Sequence, residues 1–190
     1  IMAENLTNDN AVRLLANTIA TGAGLFVLIT SFANISGAHL NPFVSLSMYL
    51  TKKIKGKELL TYVPAQILGC LLGVMLANVF FEHSIIELST KNRDGFHIFL
   101  SEIVATFGLI FIIFATLKDG KTTVAACVAT YISAGYWYTS STSFANPAVA
   151  IARTFTDSFT GINYLNTPTY IFAELLGAIA AVYIIKRLIK

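Results

Sequence analysis

Two Asn-Pro pairs carry the chemistry of this chain of 190 residues, Asn41-Pro42 and Asn146-Pro147. Asn caps a helix N-terminus well, because its side-chain oxygen accepts from a backbone N–H of the first turn. Pro fits the first helical position, where its missing N–H costs nothing. An ordinary pair of helix caps would use the same residues. Here each pair opens a short apolar stretch, about 41–50 and 146–157, that follows a much longer apolar segment. At 1.5 Å per residue each stretch is roughly 15 Å long, half the thickness of a bilayer core. Two such half-helices meeting end to end would cross a membrane once, with both positive ends at the centre. Each Asn oxygen would cap its own helix and leave the amide NH2 to donate into the path between them. A water molecule there meets two donors and must point its hydrogens away, which breaks the chain along which protons hop. The positive field repels cations. Such a site favours small neutral solutes.

No other constellation competes with it. No nucleophile, base or metal set converges, so the chain is not read as an enzyme and no cofactor is expected. His39, His83 and His97 are scattered, and Cys70 and Cys127 both fall inside apolar segments, where a free thiol behaves as a small hydrophobe.

The elements that must position the two pairs are legible in the composition. The chain is 55% hydrophobic and 12% charged, about half the charge of a soluble domain, with a mean hydropathy of +0.69. Five segments of spanning length are read at about 11–32, 59–81, 98–117, 122–140 and 168–185. Basic residues sort by side, which sets topology. Lys52, Lys53, Lys55, Lys57, Lys118, Lys121, Lys186, Arg187 and Lys190 fall on one side and only Arg13, Lys91, Arg93 and Arg153 on the other. The first side is taken as cytoplasmic, so the N-terminus is outside. A net charge of +3 arranged this way gives no reason to expect nucleic acid; the partner is the lipid bilayer. Tyr136-Trp137-Tyr138 reads as an interfacial belt at the outer end of its segment.

The sequence also repeats. Tyr62, Ala65, Gln66, Leu68 and Gly69 match Tyr170, Ala173, Glu174, Leu176 and Gly177 at an offset of 108, and the Asn-Pro pairs repeat at 105. Three full segments lie between the pairs, an odd number of crossings, so the half-helices enter from opposite sides. This is an inverted-topology repeat, which puts the functional site near the midplane between the halves. Residues 1–96 form an incomplete first repeat and 97–190 the second, within one domain. The predicted fold class is an all-α integral membrane bundle with two re-entrant half-helices.

Ser36-Gly37-Ala38-His39-Leu40-Asn41-Pro42 and Phe144-Ala145-Asn146-Pro147-Ala148 resemble the two signature loops of the major intrinsic protein family, the aquaporins and aquaglyceroporins. Gln66, Glu174 and Glu102 fit the same pattern, and the resemblance covers nearly the whole chain. It implies a homotetramer in a plasma or inner membrane with one pore per subunit. It also implies six spans, so the first is expected to be missing here. Glu102 resembles the buried glutamate that holds a re-entrant loop, and Gln66, Glu174 and His39 are grouped with it as buried polar supports.

Two departures from the family pattern stand out. The first motif ends in Phe43 where the family has Ala. Three residues after Asn146 stands Val149, where the family has an Arg that narrows the outer pore. By the same spacing the other filter positions map to Thr21, Ala134 and Ser143, all small or medium and uncharged. Arg153, one turn beyond Val149, either swings back into the vacated space or pairs with Asp157 at i,i+4 on the half-helix surface; the pair is the preferred reading. The run from Asn146 to Asp157 resembles a microbial aquaglyceroporin subgroup linked to arsenical resistance, which adds arsenite and related metalloid hydroxides to water and glycerol-like polyols as candidate solutes. Two other functions are weighed: an ion-coupled secondary transporter, since inverted repeats build those too, and a structural membrane protein with a pore closed by Phe43.

Overall fold

A computed structural model describes residues 1–188; Lys190 of the cytoplasmic basic set lies outside them. Among the described residues all regular structure is helical: α1 (Met2–Leu6), α2 (Asn10–Phe32), α3 (Pro42–Leu50), α4 (Gly56–Phe80), α5 (Phe96–Thr116), α6 (Lys121–Tyr138), α7 (Pro147–Ala152), a 3-10 turn (Arg153–Phe155) and α8 (Thr167–Leu188). The expected long segments and half-helices fall on α2, α4, α5, α6 and α8, and on α3 and α7.

Four helices are long and apolar enough to cross a membrane: α2, α4, α5 and α8. α6 is the more polar fifth, 18 residues with several hydroxyls. Those hydroxyls turn back on their own helix. Thr123 donates to the Asp119 carbonyl, Thr130 to Ala126 and Ser133 to Ala129, at 2.8–3.0 Å. A hydroxyl satisfied in this way adds no unpaired polar group to a lipid-facing surface.

Packing follows the repeat. α2 runs along α6 and α5 along α8, while α3 and α7 each contact both α4 and α8, so each half-helix sits between one helix of its own repeat and one of the other. The core lies between these elements and includes Ile110, Ala105, Ala125, Ala145, Ala181 and Ile185, nearly all fully buried. Gly177 lets α8 approach α5 closely: a Cβ there would run into the Ile103 carbonyl and the Phe107 amide. Its repeat mate Gly69 on α4 has nothing within 4 Å, and no residue in the hydropathic stretch of α4 is fully buried among the described residues.

The second half-helix is shorter than the sequence suggests. α7 has six residues and tightens into the 3-10 turn, and Thr156 is extended. Beyond it the backbone is tied to the loop after α4. Glu87 and Ser89 donate to the carbonyls of Phe155 and Thr154 at 3.4 and 2.9 Å. The Asp157 carboxylate accepts from the Thr90 amide and hydroxyl at 2.8 and 3.0 Å. These bonds draw the chain out of helical geometry.

Candidate functional site

The two Asn residues meet. Asn41 caps α3, its Oδ1 accepting from the Phe43 amide at 2.9 Å, and Asn146 caps α7 by accepting from Ala148 at 3.1 Å. Each amide also reaches across: Asn41 Nδ2 donates to the Ala145 carbonyl at 2.6 Å, and Asn146 Nδ2 to the Leu40 carbonyl at 2.9 Å. One hydrogen of each NH2 is therefore spent in locking the half-helices together. The amides are not wholly free, as the sequence reading had them, and a single N–H of each remains for the lumen.

The loops before the two Asn residues are same-handed copies of one another. Gly37, Ala38 and Leu40 have φ of 76°, 48° and 50°, and Thr142, Ser143 and Ala145 at the equivalent positions have 62°, 50° and 47°. A left-handed conformation costs a non-glycine residue of order 1–3 kcal/mol, so something must hold each loop. For the second loop it is Glu102, whose oxygens accept from the Phe144 and Ala145 amides at 2.9 and 2.8 Å, and Glu174, which accepts from the Asn146 amide at 2.9 Å. Both carboxyls have no exposed surface. For the first loop Gln66 Nε2 donates to Ser45 Oγ at 3.0 Å, and Ser45 also contacts His39 Nδ1 at 3.0 Å. Tyr62 stacks edge-on to His39 and donates to the Ser36 carbonyl at 3.0 Å. Gln66, Glu174, Glu102 and His39 all thus support the loops.

An elongated cavity of about 170 Å³ runs past both Asn residues. Three helices give it apolar stripes at four-residue spacing: Thr21, Leu25 and Ile29 of α2, Leu109 and Ile113 of α5, and Val124, Val128, Ile132 and Tyr136 of α6. His39, Asn41, Asn146, Ser143 and Val149 also line it. Pro42, Pro147 and Ala148 are buried at the helix starts. Phe43 is buried in the hydrophobic core and is not among the lining residues. The suggestion that Phe43 plugs the lumen is therefore corrected: its ring packs behind α3.

Two further expectations are corrected. Ala134 is exposed and lines no part of the cavity. Two residues of helix turn it about 200° from Tyr136, which is buried and does line the cavity. Tyr136 is thus not part of the interfacial belt, although Trp137 and Tyr138 are half exposed. Arg153 does not pair with Asp157, whose carboxylate is taken by Thr90 and Ser89. Its guanidinium turns into the cavity, 4.3 Å from the Phe144 ring centre, with Nη2 3.5 Å from the Tyr136 hydroxyl. Tyr136 OH in turn lies 3.0 Å from Thr21 Oγ1. A polar chain Thr21, Tyr136, Arg153 therefore rings the mouth beside Val149. Arg93 stacks at 5.5 Å from the same Phe144 ring, and donates to the Gly161 and Phe159 carbonyls at 2.8 and 2.9 Å. Burial lowers its pKa from the ordinary arginine value.

Sequence reasoning missed Tyr136 and the seat that Phe144 offers Arg153. The four-residue stripe from Val124 to Tyr136 was a signal for the first. Nothing local signals the second, because Phe144 and Arg153 meet only through the fold.

Residues 1–139 match the family described as Major intrinsic protein. Over its full length the chain is 46% identical to Aquaglyceroporin AqpS of Rhizobium meliloti (strain 1021), covering 82% of that protein. It is 27% identical to Aquaporin-4 of Rattus norvegicus over 92% of the chain and 30% identical to Aquaporin NIP1-1 of Arabidopsis thaliana over 62% of it. It spans about half the length of these last two, 56% and 43%.

Proposed function

The chain belongs to the major intrinsic protein family, and from that premise we propose that it is a passive, multi-pass membrane channel for small neutral solutes. Water and glycerol-like polyols head the list, with metalloid hydroxides such as arsenite as further candidates. One observation carries this reading: Asn41 and Asn146 cap two opposed half-helices and bond to each other's loops beside a single lumen. Positive helix ends and amide donors at that point disfavour cations and hold a passing oxygen by its lone pairs. The rest of the lumen is mostly apolar, so a solute keeps few polar contacts and does not bind tightly enough to stall.

The outer constriction is assigned to Thr21, Tyr136, Ser143, Val149 and Arg153. Arg153 supplies, from one turn further along, the guanidinium that the family places at the position of Val149. Ser143 borders the lumen, and its Oγ is buried without a hydrogen-bond partner among the described residues. An ion-coupled transporter would need a titratable or oxygen-rich coupling site open to the lumen at the midplane, whereas the Glu102 and Glu174 carboxyls beside the paired Asn are turned to loop amides and line no part of the cavity. A homotetramer in the plasma or inner membrane, with α6 as the fifth span of each subunit, completes the proposal. The uncovered apolar faces of α2 and α4 suit burial against lipid or neighbouring subunits.

The test is solute-by-solute swelling of liposomes carrying the full-length protein. Faster shrinkage in sucrose and faster re-swelling in glycerol than in protein-free liposomes are expected. Permeabilities equal to those of bare lipid for water, glycerol and arsenite alike would overturn the reading.

A further inference from the structure

We propose that the ends of α3, α5 and α8 form a binding site for the phosphate headgroup of an anionic phospholipid. A cavity of about 540 Å³ opens there, and four lysines border it: Lys52, Lys53, Lys118 and Lys186. No acidic residue lines it, and among the described residues none of the four is in a salt bridge. Complementing helix dipoles does not account for them all. Three helix C-termini converge on the cavity, each equivalent to about half a negative charge, whereas the four ammonium groups carry four positive charges. The surplus is free to attract an anion.

Placement of the lysines is built into the chain. Lys52 adopts a positive φ of 61° and ends α3, so that its own amide and that of Lys53 bond back to the Tyr49 and Met48 carbonyls at 2.9 and 2.8 Å. Lys53 Nζ then sits 6.0 Å from the Phe114 ring centre. A non-glycine residue in this conformation is uncommon, and here it turns two consecutive lysines to the same cavity.

The walls favour a lipid over free phosphate. Leu50, Phe114, Leu117 and Ile185 line the cavity between the lysines, at the level where apolar helices end and polar chain begins. A headgroup held by the ammonium groups can keep its acyl chains against that apolar wall, which inorganic phosphate cannot use. Clustered basic residues at the cytoplasmic end of spanning helices attract anionic headgroups in general. Leu117 also lines the lumen, so the lipid would sit beside the cytoplasmic mouth of the pore.

The experiment is native mass spectrometry of the detergent-solubilised full-length protein, titrated with phosphatidylglycerol or phosphatidylcholine of matched chains. Phosphatidylglycerol is expected to occupy one site per subunit at about tenfold lower concentration than phosphatidylcholine. The preference should vanish in Lys52→Gln/Lys53→Gln/Lys118→Gln/Lys186→Gln and persist in Lys55→Gln/Lys57→Gln, a surface control. Lys52→Gln/Lys118→Gln, with a circular dichroism spectrum matching the parent, serves if the fourfold variant does not fold. Equal binding of the two lipids, or a preference that survives loss of the lysines, would overturn the site. Displacement of phosphatidylglycerol by inorganic phosphate at equal concentration would overturn the lipid assignment in favour of a free anion.

Discussion

At the residue scale, the site depends on a few side chains that have no substitute. Glu102 offers two oxygens to two consecutive amides, at 2.9 and 2.8 Å, in a fully buried position. Glu102→Gln keeps the size but turns one acceptor into a donor, which then faces an N–H. An unmade buried bond of this kind costs about 1–3 kcal/mol, so a lower midpoint of thermal unfolding in micelles is expected, together with reduced water flux. An unchanged midpoint would show that the loop is held by its other contacts. The selectivity role proposed for Arg153 works in a different way. Its long side chain fills space that Val149 leaves open, held by a ring contact and a long hydroxyl contact rather than by an ion pair. Arg153→Ala should raise the glycerol-to-water permeability ratio several-fold, whereas Val149→Arg should lower it, because the added bulk excludes wide solutes before water. Stopped-flow measurement of both solutes on the same vesicles reads the ratio. If Arg153→Ala leaves it unchanged, the guanidinium lies outside the solute path.

At the element scale, packing between long helices is what aims the half-helices. α8 supplies Glu174 to the second Asn and lies against α5, which supplies Glu102. Both carboxyls therefore depend on the close approach that Gly177 permits. Gly177→Val would push α8 from the Ile103 carbonyl and Phe107 amide of α5. Overpacking costs typically 1–3 kcal/mol, and here it would also shift both loop supports. The expected outcome is a lower unfolding midpoint and loss of most water flux; full flux would mean that the interface relaxes without disturbing the loops. The half-helices themselves are too short to be stable alone. Caps, proline starts and the opposite repeat hold them.

At the scale of the whole molecule, function requires both repeats. One half-helix gives one positive end and one donor; only their opposition makes a lumen in which a water oxygen is held from both sides. In the proposed outer constriction, Arg153 and the apolar stripes would add to the barrier against cations. Planar bilayers carrying the protein should therefore show no proton or sodium current above that of bare lipid while water flux is high. A substantial current in either ion would mean that the opposed dipoles do not control the path.

The sequence alone determined the elements and their symmetry. Apolar length marks α2, α4, α5 and α8, the Asn-Pro pairs mark the starts of α3 and α7, and the offset of 105 relates the two loops. These features follow from local periodicity and from the energetic penalty of exposing backbone to lipid, both of which are written along the chain. The lining of the lumen was only partly legible. Thr21, Ser143 and Val149 border it, but Ala134 does not, because counting residues does not fix the rotation of α6 about its axis. The partner of Arg153 was misread for a related reason. An i,i+4 pair presumes that the helix continues, and the loop after α4 ends it by taking Asp157 for Thr90. That loop and Asp157 are 67 residues apart, so only the tertiary structure could decide which partner each charge would find.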